Sequence, residues 1–194
     1  MSDGTKETPL ITSPSRLAHV VLRTGNLKEM SPFYKTFLGG KAQVESDQVA
    51  FITYDDEHHR IALVSRPDLQ QLPPKSCGLD HIAFGFDDIE GLLKAYSQRK
   101  EHGVTPVWCV HHGLTISMYY RDPDGNVLET FIDAFDDLEK QDAYMTSKDF
   151  VENPIGVDFD PEDMLRRVQS GESKESIHKR PNIGPRDLST VPLF

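Results

Sequence analysis

The chain has 194 residues, 37% hydrophobic and 27% charged, proportions of a globular protein with room for one domain or two small fused modules. Its formal charge of −10, from 21 Lys and Arg against 31 Asp and Glu, repels phosphate backbones and anionic lipid, which argues against nucleic acid or membrane as partner. No apolar run approaches the roughly 20 residues of a membrane span, and Cys77 and Cys109, outside any CxxC pair, read as reduced thiols of a cytoplasmic protein.

Residues 1–15 are polar, lack the apolar core of a secretory signal, and are expected as a disordered leader. A pattern that occurs twice then begins. LAHVVLR, from Leu17, is a short apolar strand with His19 in third place. Asn26 is a plausible N-cap for a helix in which Leu27, Met30, Phe33, Tyr34, Phe37 and Leu38 recur at helical spacing, and Gly39 and Gly40 stop it. Strand-like segments at 41–47, 49–55 and 59–65 complete the first unit. PDLQQLPPKS, at 67–76, is a proline-rich linker.

The second unit opens with LDHIAFG, from Leu79, which again has a histidine in third place, His81. Its helix carries Ile89, Leu92, Leu93 and Tyr96 on one stripe and ends at Gly103. Strands follow at 105–111, 114–121 and 126–132. The expected fold is therefore α+β: two βαβββ modules, about 16–66 and 78–132, packed with pseudo-twofold symmetry as one domain over 16–132. Residues 133–194 read as a C-terminal arm, helical at 133–145 and 160–171 and otherwise irregular.

Strand parity then sorts the side chains. Leu79, His81, Ala83 and Gly85 share one face of their strand, and the bulky Ile82, Phe84 and Phe86 share the other, which suits packing on a helix. His19 holds the equivalent place in the first module, so symmetry aims both imidazoles at one cavity. In YYRDPDGNVLETF, Pro123, Asp124 and Gly125 form a hairpin loop. Counting back along the two strands sets Tyr119 opposite Glu129. A carboxylate between Leu128 and Phe131 costs several kcal/mol unless something compensates it, and a metal does. His19, His81 and Glu129 make a 2-His-1-carboxylate set, which suits non-haem Fe(II) and also accepts Mn(II), Ni(II) or Zn(II). His102 reads as a helix-end residue, His58 and His59 as a solvated hairpin tip, and His178 as surface.

Paired βαβββ modules, a histidine on the first strand of each, and DPDGNxxE before the last strand together resemble the vicinal oxygen chelate superfamily over about residues 16–132. That group includes glyoxalase I, fosfomycin transferases, bleomycin-resistance proteins and type I extradiol dioxygenases. The resemblance implies a glyoxalase-like curved sheet around one metal. Glyoxalase I carries a fourth ligand on the last strand of its first module, where HRIALVS offers no carboxylate near Ala62. Three ligands instead resemble a ring-cleaving dioxygenase, which opens a catechol-like aromatic diol with O2 at Fe(II). There Tyr119, ten residues before the metal Glu, is a catalytic residue. His112, in a family-like His-Gly, is the acid–base group or oxygen anchor, in competition with His58, His59 and His111. The chain departs from that branch in having no histidine in SRPDLQQLPPKSCGL. The other readings are a lyase, isomerase or thiol transferase using Mn(II), Ni(II) or Zn(II), and a metal-free binding protein of the bleomycin-resistance type. A homo-oligomer stays open.

Overall fold

The structure, a computed structural model, describes residues 11–70 and 76–192. Most of the expected leader (1–10) and the middle of the linker (71–75) lie outside the described residues; Ile11 to Ser15 are exposed and irregular. The first module runs β1 (Val20–Thr24), α1 (Leu27–Leu38), β2 (Lys41–Glu45), β3 (Val49–Thr53) and β4 (Ile61–Ser65). The second runs β5 (His81–Gly85), α2 (Ile89–Glu101), β6 (Trp108–His111), β7 (Thr115–Arg121) and β8 (Val127–Asp133). Gly39, at φ +62°, supplies the left-handed residue that ends α1. Asp88 caps α2 by accepting the Gly91 N–H.

Each module makes its own mixed sheet, in the order β1-β4-β3-β2 and β5-β8-β7-β6. The last strand of each pairs in parallel with the first: Val21 lies beside Ala62, and Ala83 beside Glu129. Ala62 is thus the structural counterpart of Glu129.

One hydrophobic core joins the modules on their helix-bearing sides. Met30, Tyr34 and Phe37 of α1 lie in the same cluster as Leu92, Leu93 and Tyr96 of α2 and Met118, Tyr120 and Leu128 of the second sheet. The Phe37 ring meets Phe84 at 6.0 Å and Tyr120 at 5.2 Å. The buried Arg99 lies over the Phe37 ring and donates to the Phe37 carbonyl (2.8 Å). Ile82 and Phe84 face this core as their parity requires, so the opposite faces of the two sheets point away from it.

The arm is more ordered than the sequence suggests. It forms α3 (Leu138–Met145), α4 (Lys148–Glu152), β9 (Val157–Asp158), α5 (Pro161–Gln169) and α6 (Lys174–His178). β9 extends the second sheet beyond β6, and Met164 and Ile177 are buried in the main core. With few apolar residues of its own, the arm is ordered by anchors far away in sequence, β9 on β6, Met164 and Ile177 in the main core and Tyr144 over Gly113, a tertiary effect that local periodicity does not record. No helix of the described residues is long and apolar enough to cross a membrane.

Candidate metal centre and proton relay

The hairpin between β7 and β8 sets the centre. The Asp122 N–H donates to the Asn126 carbonyl (3.0 Å), Gly125 adopts φ +87°, and the resulting register pairs Tyr119 with Glu129. The buried Asp122 carboxylate accepts from the backbone N–H groups of Asp124 and Asn126 and from Asn126 Nδ2. It also accepts the Tyr34 hydroxyl of α1 at 2.9 Å, which ties the turn to the first module. Burial pushes the Asp122 carboxyl above its ordinary range.

On the face of the second sheet turned away from the core, Glu129 is 7% exposed and its Oε2 lies 3.0 Å from His81 Nε2. The other ring nitrogen of His81 donates to Asp80 at 2.6 Å. With Nδ1–H committed there, Nε2 meets the carboxylate through either a second proton or a cation. Two cis ligands with metal bonds of about 2.1 Å stand roughly 3 Å apart, so the observed separation fits two donors of one divalent ion. Asp80 then has the orienting role that carboxylates take behind metal-bound imidazoles.

Tyr119 Oη lies 3.2 Å from Glu129 Oε1 and 3.0 Å from His112 Nε2. His112 Nδ1–H donates to the carbonyl of Ile155, in the arm, at 2.5 Å. This fixes the tautomer: Nε2 presents its lone pair to the phenol. Burial holds the His112 imidazole below its ordinary range and therefore neutral. Burial, reinforced by Glu129, pushes the Tyr119 phenol strongly upward, so it keeps its proton. That single proton has two acceptors within reach, a carboxylate on one side and a base on the other. Trp108 stacks on Tyr119 at 5.0 Å and, with Val110 and Val127, wraps the phenol in apolar surface.

The arm closes on this relay through two glycines. Gly113 (φ +96°) sits under Tyr144, and Gly156 (φ +111°) lies against the His111 backbone; a Cβ at either position would overlap those atoms. Arg180 donates to the carbonyls of His112, Asn153 and Asp149, and Arg186 pairs with Asp158, which also accepts the Trp108 indole N–H. Both arginines pin the arm.

The structure thus brings together His81, Glu129, Tyr119 and His112. It does not bring His19 to them within one chain. His19 is exposed on the outward face of the first sheet, where its ring lies 4.3 Å from His59 and 6.2 Å from His58. Among the described residues, no three His, Cys, Asp or Glu side chains of one chain group as a metal site. The cause is the shared core: modules joined through their helix sides turn their outward faces apart.

Other histidines are also placed differently from expectation. His59 stacks on Phe51 rather than standing in solvent. His178 is half-buried and accepts His111 Nε2–H through its carbonyl, while its Nδ1 approaches the Ala134 carbonyl. His111 is buried, and both its ring nitrogens are taken up by backbone hydrogen bonds. Sequence reading also missed Asp80, Trp108 and the Ile155 carbonyl. The first two had a signal, an acid directly before a repeated histidine and the only tryptophan of the chain; a backbone carbonyl arriving from the arm had none.

A family model described as the Glyoxalase/Bleomycin resistance protein/Dioxygenase superfamily matches residues 16–130. The chain is 38% identical to biphenyl-2,3-diol 1,2-dioxygenase 2 of Rhodococcus globerulus, over 86% of this chain and 88% of that one. It is 37% identical to biphenyl-2,3-diol 1,2-dioxygenase 3 of the same organism, over 88% and 90%. Among solved structures, a glyoxylase/bleomycin resistance protein/dioxygenase domain from Frankia sp. EAN1pec matches 62% of this chain and 93% of its own with a TM-score of 0.54, at 20% identity, a likeness of fold alone. Fold, repeat and sequence agree, and the chain belongs to the glyoxalase/bleomycin resistance protein/dioxygenase superfamily.

Proposed function

We propose that this protein is an extradiol ring-cleavage dioxygenase that opens a catechol-like aromatic diol with O2, using Fe(II) for which His81 and Glu129 are the paired donors on the second sheet and His19, held apart from them in the single chain, is the third donor of the set read from the sequence. The observation that carries the reading is the relay on the second sheet, in which a protonated phenol stands between a buried carboxylate and a neutral imidazole with a fixed tautomer. The two dioxygenases aligned over nearly the whole chain, arm included, support the same reaction class. Ala62 at the counterpart of Glu129 leaves three donors rather than four and so supports this over a four-ligand isomerase or lyase.

Fe(II), when bound, would supply a Lewis acid that lowers the pKa of the diol and brings it together with O2. The chain's own groups handle the protons. Tyr119 turns its O–H from Glu129 to a substrate oxygen, and His112 Nε2 stands behind the phenol to receive or return a proton through it. The Ile155 carbonyl keeps His112 in the tautomer that can do so. Trp108, Val110 and Val127 keep water from the phenol. The product is a ring-opened acid carrying an aldehyde or ketone.

Anaerobic purification, reconstitution with Fe(II) and measurement of O2 uptake over a panel of catechols test the proposal. The expected result is one O2 consumed per diol, dependent on iron. Uptake with none of the diols, or full turnover of another reaction with Mn(II), Ni(II) or Zn(II), would overturn it.

A further inference from the structure

We propose that Asp158, gripped by Arg186, is a positioning residue: it fixes the Trp108 indole and, through it, the plane of the Tyr119 phenol. The inference rests on the dioxygenase reading for what the phenol does, not for how it is held.

The phenol needs holding. The last side-chain torsion of a tyrosine is broad and nearly two-fold, so the ring plane is set by what packs against it. A phenolic O–H lies in the plane of its ring, and that plane decides whether the proton can be aimed at Glu129 Oε1 (3.2 Å) and His112 Nε2 (3.0 Å) in turn. Trp108 stands directly opposite Tyr119 across β6 and β7. Its ring stacks on the phenol at 5.0 Å with 25° between the planes, and meets the His112 ring edge-on at 5.8 Å. One indole therefore meets both members of the relay.

What fixes the indole comes from the arm. In the pairing of β9 with β6, Asp158 lies opposite Val110, and so diagonal to Trp108 on the same face and within its reach. Asp158 Oδ1 accepts the Trp108 Nε1–H at 2.8 Å. The Asp158 side chain is 57% exposed, and a carboxylate so open to water ordinarily swings free and holds little. Here Arg186 takes both oxygens in a fork, Nη1 to Oδ1 at 2.7 Å and Nη2 to Oδ2 at 3.1 Å. Arg186 is itself only 10% exposed in its side chain, and it donates to the Gly156 carbonyl (3.1 Å) and Thr190 Oγ1 (2.9 Å). The carboxylate thus reaches the indole already oriented. The first sheet has no such device: Val44 stands opposite Phe51, and no strand is laid on the outer edge of β2 among the described residues.

Trp108 is the only tryptophan of the chain, so intrinsic fluorescence reads it alone. Asp158→Ala should shift the emission to longer wavelength and raise its quenching by acrylamide. Asp158→Asn, whose amide oxygen still accepts the indole N–H, should bring both back toward wild type. Unchanged emission and quenching in Asp158→Ala overturn the inference, whatever reaction the protein runs. In turnover, Asp158→Ala should lower kcat about tenfold with KM for the diol unchanged, a fraction of the roughly 10²–10⁴ that an acid–base group contributes. Trp108→Phe keeps a ring on the phenol but has no N–H, and should show the same loss. Adding Asp158→Ala to it should then cost nothing more. A further loss of the same size in the double variant would mean that Asp158 acts by docking the arm, and overturns the inference. So does wild-type kcat in Trp108→Phe, which decides the matter if Asp158→Ala does not fold. If the fluorescence changes as expected and the wild type cleaves no diol, the positioning stands and the dioxygenase reading falls.

Discussion

The two modules put one plan to different uses, and the difference is clearest along a single row across each sheet. In the second module, Trp108, Tyr119, Glu129 and Ala83 are successive neighbours. In the first, the same places hold Val44, Phe51, Ala62 and Val21. Indole, phenol and carboxylate face two aliphatic groups and a phenyl ring. The arm follows the same division, with β9 and the Ile155 carbonyl laid on the second sheet and the first left open. A duplicated fold has concentrated the polar, hydrogen-bonded side chains of this row in one half, and the other keeps an apolar row. Because the side chains on this row face away from the common core, they could diverge without disturbing the packing that joins the modules.

The sharpest way to break the comparison is His81→Ala. The ring is half-buried on the outward face, outside the core cluster, so the fold should survive by circular dichroism while metal binding and activity are lost. Loss of secondary structure would make His81 a structural residue. Tyr119→Phe comes next. It should lower kcat by about 10²–10⁴ with metal content unchanged, whereas Phe51→Leu, its counterpart in the first module, should leave kcat within a few-fold. Equal effects at both positions would mean that the row is packing in both modules.

Much of this was legible in the sequence because it is local. The repeat, the helix stripes, the Asp122 to Asn126 turn and the pairing of Tyr119 with Glu129 all follow from residues a few positions apart. Parity gave the face of His81 for the same reason. What could not be read was relative: parity says that His19 and His81 both point away from their helices, and only the packing of Phe37 on Phe84 and Tyr120 shows that those faces diverge. The arm was misjudged for a related reason. Its short helices are held by Met164, Ile177, Arg180 and Arg186, each meeting a partner far away in sequence.

Removal of the arm sharpens the contrast between a covered and an open sheet. A chain ending at residue 146 loses Met164 and Ile177 from the main core as well as the carbonyl that orients His112. Ile177→Ala alone should cost about 2–4 kcal/mol in denaturant titration. The truncated chain should therefore unfold at low denaturant or aggregate. A shortened protein of wild-type stability would show the arm to be a detachable cover.

The smallest effect concerns acid, and it too is confined to the second module. His111 is 3% exposed, accepts the Gly113 N–H at Nδ1 and donates Nε2–H to the His178 carbonyl, so both nitrogens are committed in the neutral form. Burial is the main force lowering its pKa, from 6.5 to about 4. The unfolded chain thus takes up a proton near pH 6.5 that the folded chain refuses until near pH 4. Stability from this residue is complete above pH 6.5, declines as the pH falls through that window, and is lost by about pH 4. At 1.36 kcal/mol per pH unit the whole loss is about 3 kcal/mol, roughly 2 of it by pH 5. His111→Asn, which cannot titrate, should be less stable than wild type at pH 7.5 and should close most of that gap at pH 5. Other groups titrate in both proteins, so the difference between their slopes isolates His111. Parallel curves from pH 7.5 to 5 would mean that the His111 site admits a proton in the folded state and that the arm is held here by packing alone.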